Sequence, residues 1–94
     1  MSDQVSVSVD PTPNPMSMKF TTSRTIIERR GKTFMKKADA AGFPLFEKIF
    51  DTVGDGVQSI FCVNNFFTIT QNGKIDWNVA IPKVEGIVKA HWTT

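Results

Sequence analysis

The apolar positions of this chain keep two rhythms. Val5, Val7 and Val9 alternate with Ser6, Ser8 and Asp10, the period of two that marks a strand with one buried and one polar face. Met18, Phe20 and Thr22 alternate with Lys19 and Thr21 and predict a second strand. Between them stands Thr12-Pro13-Asn14-Pro15. Proline fixes φ and biases the residue before it toward extended geometry, so Thr12 and Asn14 are held away from helix. The segment therefore predicts a stiff bend joining antiparallel strands.

Residues 23–42 keep no clean period. Arg30-Gly31 is a turn signal, a short strand is expected near residues 32–36, and Ala38 to Gly42 reads as a loop. From Phe43 the rhythm changes. Phe46, Ile49, Phe50 and Val53 fall at i, i+3, i+4 and i+7, the stripe of an amphipathic helix. Pro44 suits its first turn and Gly54 its C-terminal end. Val57 to Val63 and Phe66 to Thr70 read as strands joined by Asn64-Asn65, since asparagine tolerates the positive φ of a tight hairpin. Both are apolar at nearly every position, which predicts a central, covered hairpin. If Phe61 faces the core, Cys62 points to the opposite face. Asp76 caps a final helix whose buried stripe is Trp77, Ala80, Ile81, Val84, Ile87, Val88 and His91 or Trp92. Pro82 predicts a kink or a restart in it.

The element order gives an α+β domain: a two-layer sandwich, with a mostly antiparallel sheet and two helices packed on one face. The 94 residues are expected to form one domain over 1–94, with its core at about 5–90. A composition of 40% apolar and 21% charged residues is that of an ordinary globular chain. No apolar run approaches the roughly 20 residues of a membrane span, and no secretory signal is visible. A cytoplasmic protein with no membrane partner is the expectation. The net charge of +2 is too small to point to nucleic acid.

The chain has one cysteine, Cys62. That excludes an intrachain disulfide and a CxxC motif, and an iron–sulfur cluster typically takes four thiolates. Cys62 is a metal candidate, yet a small buried hydrophobe is the simpler explanation. Arg24, Arg29, Arg30, Lys32, Lys36 and Lys37 face only Glu28 across residues 24–37, a local excess of +5. This stretch lacks the interleaved aromatics of a single-strand nucleic-acid platform. Asp51, Asp55 and Asp76 are candidates for a catalytic carboxylate pair, but Asp55 between two glycines suits a turn and Asp76 a helix cap. His91 suits the C-terminal end of a helix. Gly54-Asp55-Gly56 follows a helix and precedes a strand, the reverse of a phosphate cradle.

Thr12-Pro13-Asn14-Pro15 followed by Lys19-Phe20 resembles the opening of the N-terminal domain of Nfu/NifU-type iron–sulfur cluster scaffold proteins. Phe43-Pro44-Leu45-Phe46 is similar to that family. So are Val57 to Phe61 followed by Phe66 to Thr70, Asp76-Trp77-Asn78 and Ile81-Pro82-Lys83-Val84. In the family a CxxC motif in a second, C-terminal domain binds the cluster. That motif has no counterpart in this sequence, which looks like a stand-alone N-terminal domain. The resemblance implies a non-catalytic accessory or protein-interaction module that holds no cofactor. Its expected partners are proteins of iron–sulfur cluster assembly. Contact is expected through the bend (Pro13, Asn14, Pro15), through the basic stretch (Arg29, Arg30, Lys32), or through an exposed sheet face or edge. Two alternatives stand beside it. One is a basic-patch module for an acidic protein or RNA. The other is metal or cluster binding across a dimer through Cys62.

Overall fold

The computed structural model describes residues 6–93, without the side chains of residues 27–30, 55 and 92–93. Val5 therefore lies outside the described residues. Strands β1 (Val7–Pro11) and β2 (Ser17–Thr22) form the expected antiparallel hairpin. Its bend is closed by its own polar atoms. Asn14 Oδ1 accepts the Met16 N–H at 2.9 Å, Asn14 O accepts the Ser17 N–H at 2.9 Å, and the Thr12 hydroxyl donates to Asn14 O at 2.8 Å. An asparagine side chain that bonds two residues ahead imitates a backbone turn. The prolines on either side supply the stiffness.

Strands β3 (Ile27–Phe34), β4 (Val57–Asn64) and β5 (Phe66–Gln71) complete a five-stranded sheet of order β1-β2-β5-β4-β3. Every neighbouring pair is antiparallel. Helices α1 (Pro44–Val53) and α2 (Trp77–Thr93) pack on one face and against each other, α1 over β4 and α2 over β1. This is the two-layer α+β sandwich the pattern predicts. Between the layers Phe20 and Phe67 stack at 5.2 Å, and Phe46 meets Phe67 edge-on at 5.4 Å. Phe34 lies 4.9 Å from Phe46, and all four rings are fully buried. Burying such a ring stabilises by about 1.5–3 kcal/mol relative to exposure.

The helix ends follow local chemistry. Pro44 opens α1, and Gly54 closes it at a φ of 83°. Asp76 Oδ1 accepts the Asn78 N–H at 3.0 Å, the cap expected of it. In the β4–β5 hairpin Asn64 takes a positive φ of 54°, as a tight turn requires.

Four expectations are corrected. First, β3 runs straight through Arg30-Gly31, where a turn was expected, and begins well before residue 32. A register irregularity between Ile27 and Lys32 absorbs the glycine. A Cβ at Gly31 would lie 2.6 Å from Phe61 Cζ, so the neighbouring ring occupies the side-chain space. Glycine inside a strand commonly marks such a close approach. Second, Phe61 is 42% exposed and Cys62 is 0% exposed. The cysteine, not the phenylalanine, faces the helices. The β4–β5 hairpin is central but covered on one face. Third, α2 runs unbroken through Pro82. The ring sits early in the helix, and the carbonyl four residues before it belongs to the exposed Asn78 in the first turn. His91 is exposed and leaves the stripe, which is buried at Ala80, Val84 and Val88. Trp92 lies outside the described side chains. Fourth, Lys37–Ala40 is a short 3₁₀ turn with Ala40 buried, where a loop was expected.

Candidate interaction surfaces

The bend reaches solvent at Pro13, Asn14 and Pro15, and Met16 beside it is 42% exposed. It is not a loose loop. The Trp77 indole N–H donates to the Pro15 carbonyl at 3.2 Å, which pins the bend to the start of α2. The Met16 carbonyl accepts the Gln71 N–H at 2.8 Å. The buried Gln71 side chain in turn accepts the Ile75 N–H at 2.7 Å. Bend, β5–α2 connection and helix start thus form one bonded unit.

The basic stretch is elsewhere. Lys32 lies on β3, an edge strand, whereas the bend joins β1 and β2 at the other edge. Four strand spacings, about 19 Å, separate those edges. The structure does not bring the two sets of predicted contact residues together. The Lys32 amine sits 4.8 Å from the Phe43 ring centroid and 5.7 Å from that of Phe34, so it also covers the aromatic core. The Arg29 and Arg30 side chains lie outside the described ones. Lys37 pairs with Asp51 at 2.7 Å, and the hydrogen bond to that carboxylate raises the lysine pKa. Part of the charge excess is therefore neutralised on the spot.

Burial pushes the Cys62 thiol up to about 12. The thiolate is the form that ligates metals and attacks electrophiles, and this environment disfavours it. Among the described residues no group of three His, Cys, Asp or Glu side chains is placed to hold a metal ion. Asp76 caps α2, Asp51 is paired, and the Asp55 side chain lies outside those described.

A further feature was missed by sequence reasoning. The end of α1, the β5–α2 connection and the first turns of α2 enclose a cleft of about 280 Å³. Its walls include Val53, Ile75, Val79 and Ala80, with Lys74 and Lys83 among the lining residues. Three separate segments build it, so no local motif announces it. The one available signal was Val79, an aliphatic residue outside the predicted stripe of α2.

Comparison with known proteins agrees with this fold. The family model described as "Scaffold protein Nfu/NifU N terminal" matches residues 7–94. The chain is 36% identical over 74 residues to the human "NFU1 iron-sulfur cluster scaffold homolog, mitochondrial", covering 78% of this chain and 28% of that protein. It is 37% identical over 79 residues to "Conserved virulence factor C" of Staphylococcus saprophyticus, covering 83% of this chain and 20% of the relative. The chain thus spans about a quarter of the length of these relatives. Among solved structures, protein SAV1430 of Staphylococcus aureus superposes with a TM-score of 0.74 at 29% identity, over 87% of this chain and 96% of that one. A NifU-like protein of Saccharomyces cerevisiae gives 0.79 over 96% of this chain and 82% of its own. At 21% identity the yeast likeness concerns the fold alone.

Proposed function

Because the chain belongs to the Nfu/NifU N-terminal family, we propose that it is a protein-binding module associated with iron–sulfur cluster assembly, non-catalytic and holding no cluster itself. The part of this reading that excludes a bound cluster rests on the place of Cys62. The chain's one thiol is 0% exposed among core side chains, with its pKa pushed up to about 12. Such a sulfur packs the core and is poorly suited to ligate iron. Residues 1–94 act as one domain in this account. The rigid bend is its primary contact surface, with Pro13, Asn14 and Pro15 presented to the partner. Lys32, with Arg29 and Arg30, forms a separate contact at the opposite edge.

The partners are proteins of the assembly pathway, and the proposed compartment is the cytoplasm, where a lone thiol stays reduced. Among the described residues no helix is long and apolar enough to cross a membrane. The test is crosslinked capture from the native cell with the wild-type chain and with a Pro13→Ala/Asn14→Ala/Pro15→Ala variant. Recovery of cysteine desulfurase, scaffold or cluster-carrier proteins by the wild type, reduced in the variant, is the expected result. A reproducible set containing none of them overturns the pathway assignment.

A further inference from the structure

We propose that the cleft between the end of α1 and the start of α2 is a docking site for a partner segment that combines an aliphatic anchor with flanking carboxylates. The inference deepens the protein-binding reading and rests on it, but uses a surface distinct from Pro13, Asn14 and Pro15. Val79 is 53% exposed and lines the cleft with Val53, Ile75 and Ala80, an apolar wall open to solvent. A volume of about 280 Å³ sits at the low end of ligand pockets, which run from about 300 Å³ upward. It suits one or two aliphatic side chains and is small for a nucleotide cofactor.

The wall is preformed. Gln71 holds the Ile75 N–H at 2.7 Å, and the Asn72 N–H reaches the Gly56 carbonyl at 3.0 Å. A Cβ at Gly56 would lie 2.2 Å from Ile75 Cγ1, so Ile75 is seated in the space glycine leaves. A partner entering this cleft has little ordering to impose, which favours binding.

Charge selects the occupant. Lys74 and Lys83 line the cleft, and among the described residues neither amine has an ion-pair partner. Asp76 is the one described carboxylate in the lining, and its oxygen is engaged by the Asn78 N–H. Complementary charge favours an acidic partner and rejects a basic one. A second copy docking through the same patch would bring the lysines of both chains together, because a two-fold interface is self-complementary. An amphipathic acidic segment laying its apolar side into the groove meets both requirements.

The probe is a capped synthetic peptide with two leucines flanked on each side by two glutamates, titrated into the ¹⁵N-labelled full chain. Two controls replace the glutamates by lysine or the leucines by serine. The acidic leucine peptide is expected to shift the amides of Val53, Ile75, Val79 and Lys83 saturably and to bind at least about tenfold more tightly than either control. Val79→Asp and the pair Lys74→Glu/Lys83→Glu should each weaken it by about tenfold or more. Val79 is the third residue of α2, where a carboxylate suits the helix start, so Val79→Asp is expected to fold. Val79→Ser repeats the test if Val79→Asp lowers the melting temperature. Unmoved cleft amides, or equal binding of the lysine or serine peptide, overturn the proposal. Peptide binding without capture of assembly proteins would sink the pathway reading and leave the cleft standing. Capture without peptide binding would do the opposite.

Discussion

Replacing Cys62 by alanine gives a stability difference whose sign depends on pH. At neutral pH the thiol is protonated and packs a fully buried site. Removing the sulfur leaves a small cavity and destabilises by about 1 kcal/mol, the scale of a buried Ile→Val change. In alkali the balance turns. The thiol is pushed from its ordinary 9.0 up to about 12 by burial. Between those values the folded chain keeps the proton that the unfolded chain has released. The unfolded state binds fewer protons, so stability falls as pH rises, by about 1.4 kcal/mol per unit through the window. The alanine variant has no such slope. Wild type is therefore the more stable by about 1 kcal/mol at pH 7, the two meet about a pH unit above the ordinary thiol value of 9.0, and the variant leads above that. Urea unfolding of both chains under reducing conditions, from pH 7 to 10.5, reads the difference directly, and the lysine titrations common to both cancel. A gap that stays constant to pH 10.5 would show that the native thiol is not held protonated by burial. So would a native thiol that titrates at its ordinary value by ultraviolet absorbance.

Three other perturbations test the fold around the candidate surfaces. Asp76→Ala removes the α2 cap and should cost about 1 kcal/mol, lowering the melting temperature by about 4–8 °C in a thermal scan. Phe67→Ala deletes the ring that stacks on Phe20 and meets Phe46. A loss of about 3–5 kcal/mol is expected in urea, a large share of a small domain's stability. Gly31→Ala drives a Cβ into the Phe61 ring and should destabilise by about 1–3 kcal/mol. Combining it with Phe61→Ala should recover most of that loss in a double-mutant cycle.

The elements most legible in the sequence are those where one local rule dominates. The Pro-Asn-Pro bend, Pro44 at the head of α1, Gly54 at its end, Asn64 in the hairpin and Asp76 before α2 each obey a backbone constraint that acts within a few residues. β4 shows where that reasoning stops. Its residues are apolar on both faces, so alternation could not decide between Phe61 and Cys62. The answer lay on β3, where Gly31 leaves room for the Phe61 ring on the open face. That is a relation between residues far apart in the chain. The same holds for the separation of the bend from Lys32, which follows from the strand order and from no local pattern. The cleft beside Val79 draws on α1, the β5–α2 connection and α2 together. Pro82 marks a different limit. Its effect depends on how early it falls in α2, and the sequence rule says only that one hydrogen bond is lost.

Anaerobic reconstitution with ferrous iron and sulfide reads directly whether the chain can hold a cluster. After desalting, the wild-type chain and Cys62→Ser are compared for bound iron and for visible charge-transfer absorption. Both are expected to emerge colourless and free of bound iron, because the one thiol belongs to the core. A wild-type chain that retains iron and colour, with both lost in Cys62→Ser, would contradict it.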